Sequence, residues 1–352
     1  MSFCFNFDLP AQTAASDDVD GNERQTGKKN SYSKCTEDSP KLAGPVKEAE
    51  EHLPPRDPQF LLTDAVFETV TVGTLPPLHF LNETIFERTA LERDDREKIL
   101  SRRAEQRSDL ISGVYEGGLK VWECTYDLLE LIEKDGETFR GKAVLDLGCG
   151  AGLLGILALK RGAGQVHFQD YNSTVVQQLT VPNVLLNCQE DDEVDSEDDK
   201  NREGEGKILE DGREKSGKEE ENDSNPPSKK RAVDLSQHPS LSRCHFFSGD
   251  WSTFLPLVLK TQPQPKFDII FTSETIYNPE YYPALHETLH KLLAPGGLVY
   301  LATKAHYFGV GGGLHLFETF VEQRGIFSLD RLWDGEEGLQ RHVVALRFKK
   351  QT

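Results

Sequence analysis

What this 352-residue chain lacks narrows it first. No stretch approaches the roughly 20 consecutive apolar residues of a membrane-spanning helix, so no membrane partner is expected. The opening MSFCFNFDLP has no basic segment followed by a long apolar run and does not read as a secretory signal. The six cysteines form no C-x-x-C pair and no Cys/His cluster with zinc spacing, so neither a disulfide framework nor a metal site is expected. Scattered single thiols suit a reducing, intracellular compartment. Hydrophobic residues make up only 37%, so part of the chain stays outside any packed core. Positive charge is in deficit: 40 Lys and Arg stand against 59 Asp and Glu, a net charge of -19. A polyanionic surface repels nucleic-acid phosphates and suits a basic protein partner.

The charge is unevenly spread. Gln189 to Arg231 holds 17 acidic and 9 basic residues. Residues 1–57 are rich in Ser, Asp, Glu, Lys and Pro, show no apolar period and read as disordered, although Phe3, Phe5 and Leu9 alternate as an edge strand would. Residues 58–110 read as a partly ordered N-terminal extension, and 111–352 as one domain interrupted by a disordered acidic insert at 189–240. Lys229-Lys230-Arg231 after two prolines suits nuclear import, and equally a chance basic run.

Within the domain the texture is regular. Leu119, Trp122, Tyr126, Leu129 and Ile132 recur at helical spacing. AVLDLG reads as a strand, LLGILALKRG as a helix closed by Gly162, and QVHFQDY as a second strand. A helix follows over STVVQQLTVPNVLLN, kinked at Pro182. After the insert come CHFFSGDW, WSTFLPLVLK, FDIIFTSETIY, a helix ended by Pro295-Gly296-Gly297, GLVYLATKAHYF, LHLFETFVEQRG and two last strands. Alternating strands and helices mean an α/β fold: a mostly parallel seven-stranded sheet with helices on both faces. The short link between the last two strands makes one strand near the C-terminus antiparallel.

The turn after the first strand of this series, AVLDLGCGAGLLG, fits two ligands. Gly150, Gly152 and Gly155 spell G-x-G-x-x-G, and Asp146, Gly148, Gly150 and Gly152 spell D-x-G-x-G-x-G. The first is the dinucleotide fingerprint and is weak alone. The second is used by many methyltransferases to hold S-adenosylmethionine. Asp170 ends the next strand, where a carboxylate accepts from ribose hydroxyls. Three features favour the methyl donor. A Trp-bearing helix precedes the glycine strand, the third strand ends in Gly249-Asp250-Trp251, and the fourth in Ser273-Glu274-Thr275-Ile276-Tyr277. Acids and ring faces suit a sulfonium. Two phosphates ask for cations near the turn, yet Lys160 and Arg161 lie at the far end of the following helix.

These features resemble the class I, Rossmann-like methyltransferases. SGVYEGGLKVWECTYDLL, HFQDYNS, FFSGDWS, TSETIYNPEYY and KAHYFGVGGGLHLF, within about 108–320, are together similar to the protein-histidine methyltransferases. The resemblance implies S-adenosylmethionine as methyl donor and one histidine of large-subunit ribosomal protein three as acceptor, methylated on its tele nitrogen. It implies residence in nucleus, nucleolus and cytoplasm, and a monomer is expected. By matching segments, Val121, Trp122, Glu123, Cys124 and Thr125 line the donor pocket. Asp146, Gly148 and Gly150 shape its methionine side, Gln169, Asp170 and Tyr171 its ribose, Gly249, Asp250 and Trp251 its adenine, and Ser273 the methionine end.

Imidazole is already nucleophilic near neutral pH, so the enzyme supplies position more than activation. An acceptor for the other ring N–H selects the tautomer: Glu274 first, with Tyr277 and His306 behind it. Plainer readings stand beside these. Trp122 suits core, Asp250 suits a helix cap, Tyr277 suits packing under a turn, and GVGGGLHLF suits either a lid or a simple turn. Three competing functions also remain: lysine methylation on the same fold, a binding module without chemistry, and a dehydrogenase.

Overall fold

The computed structural model describes residues 46–54, 66–89, 95–106, 108–188, 241–335 and 338–350. The insert at 189–240, Phe3, Phe5, Leu9 and Lys229-Lys230-Arg231 lie outside them. No helix of the described residues is long and apolar enough to cross a membrane.

In chain order the early elements are β1 (Glu50–His52), β2 (Phe67–Val70), β3 (Leu78–Leu81), α1 (Thr84–Thr89), α2 (Ile99–Gln106) and α3 (Glu123–Asp135). The glycine strand is β4 (Ala143–Leu147), followed by α4 (Leu153–Lys160) and β5 (Gln165–Asp170). A helical stretch, α5, covers 173–188. Then come β6 (Cys244–Ser248), α6 (Trp251–Leu259), β7 (Phe267–Ser273), α7 (Tyr282–Leu292), β8 (Leu293–Lys304), α8 (Leu314–Arg324), β9 (Phe327–Asp334) and β10 (Arg341–Phe348).

The main sheet runs β1-β6-β5-β4-β7-β8-β10-β9. Strands β4 to β8 pair in parallel, and β10 lies antiparallel between β8 and β9. Successive side chains alternate between the faces. Val144 and Phe271 enter the core under α3, α4 and α5, whereas Leu145, Leu147 and Ile270 enter the core under α6, α7 and α8. Burial on both faces explains why these strands read as nearly continuous apolar runs.

The sheet has eight strands rather than seven. The extra one, β1, lies inside the stretch read as disordered: Glu50, Glu51 and His52 pair antiparallel with Ser248, Phe247 and Phe246. Its sequence carries no apolar alternation because an edge strand is held by its backbone and a few side-chain bonds. His52 Nε2 lies 2.8 Å from Ser248 Oγ, and Gln177 Nε2 lies 2.9 Å from His52 Nδ1. In the extension, β2 and β3 form a hairpin docked on α5. Asn183 accepts from the Leu81 N–H at 2.8 Å, and Asn187 bonds both N–H and C=O of His79.

Two boundaries differ from the sequence reading. A π turn at Val176–Thr180 precedes Pro182, with the Val181 N–H reaching back to the Val176 carbonyl. The wider turn accommodates the proline ring, which would collide with an ordinary preceding helical turn. Helix α7 ends at Leu292, and Leu293 already belongs to β8, before the Pro-Gly-Gly run. Helix α3 begins at Glu123, with Trp122 extended as its N-cap and Gly136 left-handed at its end. Buried Asp127 anchors α3 to β10 through two hydrogen bonds from Arg341, at 2.6 and 3.1 Å.

Candidate active site

Beyond the carboxyl ends of β4 to β7 lies a cavity of about 300 Å³. Its floor is the turn after β4. Gly150 sits at φ 49°, and a Cβ there would lie 3.0 Å from the Gly118 carbonyl oxygen, so two backbones touch. The Gly150 N–H donates to Asp170 Oδ2 at 3.0 Å, and Asp170 Oδ1 accepts from Asn172 N–H at 3.1 Å. The Gly155 N–H donates to Asp146 Oδ2 at 2.9 Å. A Cβ on Gly155 would stand 2.3 Å from the Phe168 ring, so this glycine serves the close packing of α4 on β5. Burial pushes the Asp146 carboxyl up to about 7, and burial likewise raises Asp170 above its ordinary value.

At one end stand Gly249, Asp250, Trp251 and Tyr171. Asp250 caps α6 by accepting from the Ser252 N–H at 2.8 Å and still lines the cavity. At the other end Val121, Trp122 and Thr125 face Ser273. The Trp122 indole donates to the Gly117 carbonyl at 3.0 Å, and the Thr125 and Ser273 hydroxyls lie 3.1 Å apart.

A second pocket of about 160 Å³ adjoins the first. Glu116, Trp122, Glu274 and Tyr277 line both, so these four side chains frame a junction. Glu274 has a left-handed backbone, φ 59°. Its Oε1 accepts from the Cys124 N–H at 3.4 Å and lies 3.4 Å from the Lys304 ammonium. Its Oε2 is buried and has no hydrogen-bond partner. Lys304, itself buried, also meets Glu123 at 3.1 Å and lies 5.0 Å from the centre of the Trp122 ring. Glu116 accepts from the hydroxyls of Tyr277 and Tyr281 and from the Gly113 N–H. Burial raises the Glu116 carboxyl and the Tyr277 phenol.

Charge decides what the larger cavity suits. Glu116, Asp146, Asp170, Asp250, Glu274 and Glu280 line it, against one ammonium, Lys120, which lies 3.4 Å from Asp109. Acids and aromatic faces fit an organic cation. A pyrophosphate would meet repulsion here, and the Gly150 N–H is already occupied by Asp170. The residues therefore fit S-adenosylmethionine and not a nicotinamide dinucleotide.

A family model described as a methyltransferase domain matches residues 123–332, more than half of the chain. A histidine protein methyltransferase 1 homolog from Bos taurus is 47% identical over 309 residues, covering 87% of this chain and 74% of its own. The Mus musculus homolog is 44% identical, covering 86% and 75%, and that of Rattus norvegicus is 41% identical, covering 96% and 83%. This chain belongs to the histidine protein methyltransferase family.

Not every expected residue faces the methyltransferase cavity. Val121, Trp122, Thr125, Asp146, Gly148, Gly150, Asp170, Tyr171, Gly249, Asp250, Trp251 and Ser273 line it, as do Glu274 and Tyr277. Gln169 does not. It is wholly buried, donates to the carbonyls of Asp170 and Gly249 at 2.9 and 2.8 Å, and accepts from the Trp251 indole at 2.8 Å. It holds three lining residues in place. Glu123 and Cys124 also stand behind the wall, the first on Lys304 and the second giving its N–H to Glu274. A residue-by-residue carry-over of a contiguous segment misses this, because a helix start turns successive side chains in different directions. His306 is exposed and lines only the smaller pocket. Sequence reasoning missed Glu116, Gly117, Gly118 and Tyr281. The signal was present: a Gly-Gly pair beside an acid, just before a helix, marks a close backbone approach. Indeed, a Cβ on Gly118 would lie 3.0 Å from the Asp170 carboxylate.

Proposed function

We propose that this histidine methyltransferase uses S-adenosylmethionine to methylate the tele ring nitrogen of one histidine in large-subunit ribosomal protein three. When bound, the donor supplies a methyl group carried on positively charged sulfur. Trp251 and Asp250 hold its adenine, Asp170 and Tyr171 its ribose, and the glycine turn with Asp146, Thr125 and Ser273 its methionine end. The observation that carries the reading is the junction, where Glu116, Trp122, Glu274 and Tyr277 join the donor cavity to a smaller, separate pocket.

The acceptor imidazole enters through the smaller pocket. Glu274 Oε2 accepts its N–H, which leaves the other ring nitrogen's lone pair facing the junction. Held this way, the lone pair would point toward the methyl group that the bound donor would supply. The ring becomes cationic, and its N–H proton is stabilised at Glu274 before release to solvent. Trp122 and Tyr277, which line both pockets, would offer aromatic surface to a cationic ring.

The finer identity of the substrate rests on the segment resemblance and on the charge of -19, which suits a basic ribosomal protein. Residence in nucleus, nucleolus and cytoplasm belongs to the same proposal, as does action as a monomer. Mass spectrometry of ribosomal proteins from cells lacking this chain tests it. One histidine of ribosomal protein three is expected to lose its methyl group there, and an unchanged methylation pattern would refute the assignment.

A further inference from the structure

The mouth of the smaller pocket is built from two separate parts of the chain. In the loop after β8, Tyr307 turns inward. Its hydroxyl lies 3.1 Å from Thr303 Oγ1 and accepts from the Lys304 N–H at 3.2 Å. The neighbours on either side of it, His306 and Phe308, are exposed. The loop's course is fixed. The Tyr307 N–H donates to the Gly312 carbonyl at 3.0 Å, and the Gly312 N–H donates to the Tyr277 carbonyl at 2.8 Å. A Cβ on Gly312 would fall 2.2 Å from that same Tyr277 oxygen. Across the mouth, the Ala305 N–H donates to the Gln340 carbonyl at 2.7 Å, which brings Leu339 alongside. Phe308 is 72% exposed and Leu339 40% exposed, and both line the pocket.

A single exposed apolar residue is ordinary. Two, brought from different elements to the rim of the pocket that meets the donor cavity, form a surface with a place for a ligand. A polypeptide that inserts a histidine ring into this pocket must lay its next residues on the rim, since consecutive Cα atoms are only about 3.8 Å apart. The rim offers those residues an aromatic and an aliphatic side chain.

We propose that Phe308 and Leu339 clamp an apolar side chain adjacent in sequence to the acceptor histidine. The inference rests on the histidine-methyltransferase reading and adds the substrate's local chemistry. The occupant is the acceptor polypeptide, because the rim is continuous with the junction through Glu116, Trp122, Glu274 and Tyr277.

The test uses the full chain, labelled S-adenosylmethionine and synthetic peptides with a central histidine and varied neighbours. The wild type is expected to favour peptides with an apolar neighbour. In Phe308→Ser, Leu339→Ser and the double variant, KM for those peptides should rise about tenfold or more, with kcat and donor affinity by calorimetry kept. Peptides with aspartate beside the histidine should be poor for the wild type and no poorer for the double variant. An unchanged KM, a loss confined to kcat, or self-association of the wild type abolished by the variants would each overturn the clamp. A wild type that binds donor but labels no histidine in any peptide or in a lysate lacking the enzyme would sink the underlying reading, and the clamp with it. That failure shows in the wild type alone, whereas failure of the clamp shows only when variants are compared.

Discussion

Glu274 occupies backbone space that bulky side chains avoid, and the surrounding strands hold it there. Its N–H donates to the Ala302 carbonyl at 2.9 Å, while Oε1 is fixed by Cys124 and Lys304. Oε2 is buried and has no hydrogen-bond partner. Replacing Glu274 by Gln should lower turnover at saturating donor by about a hundredfold, with donor affinity changed by no more than about twofold. Full turnover in single-round kinetics would remove Glu274 from the role. Asp146 makes a second prediction. Burial raises it to about 7, so it is largely protonated below neutral pH and ionised above. The donor is a cation and binds better to the ionised site. Its affinity, measured by calorimetry, should therefore increase from about pH 6 to 8, and Asp146→Asn should flatten the rise.

At the scale of elements, the N-terminal strap closes one end of the site. The Lys47 carbonyl accepts from the Asp250 N–H at 3.1 Å and from the Thr253 hydroxyl at 2.7 Å. Its ammonium, lowered to about 8 by burial, lies 4.8 Å from the centre of the Tyr171 ring and pairs with Glu97. A Cβ on Gly249 would lie 2.4 Å from the Ala49 Cα, backbone against backbone. Gly249→Ala should therefore displace the strap. We expect donor binding to weaken by about tenfold and residues 46–52 to lose hydrogen-exchange protection. A variant with wild-type affinity and protection would show that the strap is indifferent to this contact. None of this was legible in a strand of sequence EEH. Strands β4 to β8 and β10 were legible because they are largely buried and written in apolar residues, and the edge strand β9 because it follows a helix and a short link joins it to β10; Asp146, Asp170 and Asp250 could be placed because acids end or follow such strands. The junction was half legible. Glu274 and Tyr277 follow a strand end, whereas Glu116 reaches it from a loop whose course no local pattern fixes.

At the scale of the molecule, buried titratable groups set the response to acid. His167 sits under His245, Phe247 and Phe267, with both ring nitrogens unpartnered, and burial lowers it to about 3. The unfolded chain takes up a proton there near pH 6.5 and the folded chain does not, so this group's contribution to stability falls as pH drops below about 6.5. Asp146 acts in the opposite sense. Its raised value means the fold holds a proton that the unfolded chain has lost, so its contribution falls as pH rises from about 4 to 7. The two partly cancel in the whole protein, and a comparison of variants separates them. Relative to the wild type, His167→Phe should gain about 1.4 kcal/mol of unfolding free energy for each pH unit below 6.5, read from urea melts. A pH-independent difference would mean that His167 is protonated in the fold.

The pairing of His52 with Ser248 spans 196 positions of chain. During synthesis the amino-terminal segment waits for β6 to emerge, and β6 emerges without its neighbour already docked. Until the two meet, that flank of the sheet offers a free row of backbone donors and acceptors to any passing strand. Closure of the adenine end by residues 46–52 therefore cannot precede the synthesis of β6, and a chain in which that pairing has not formed presents an adhesive margin.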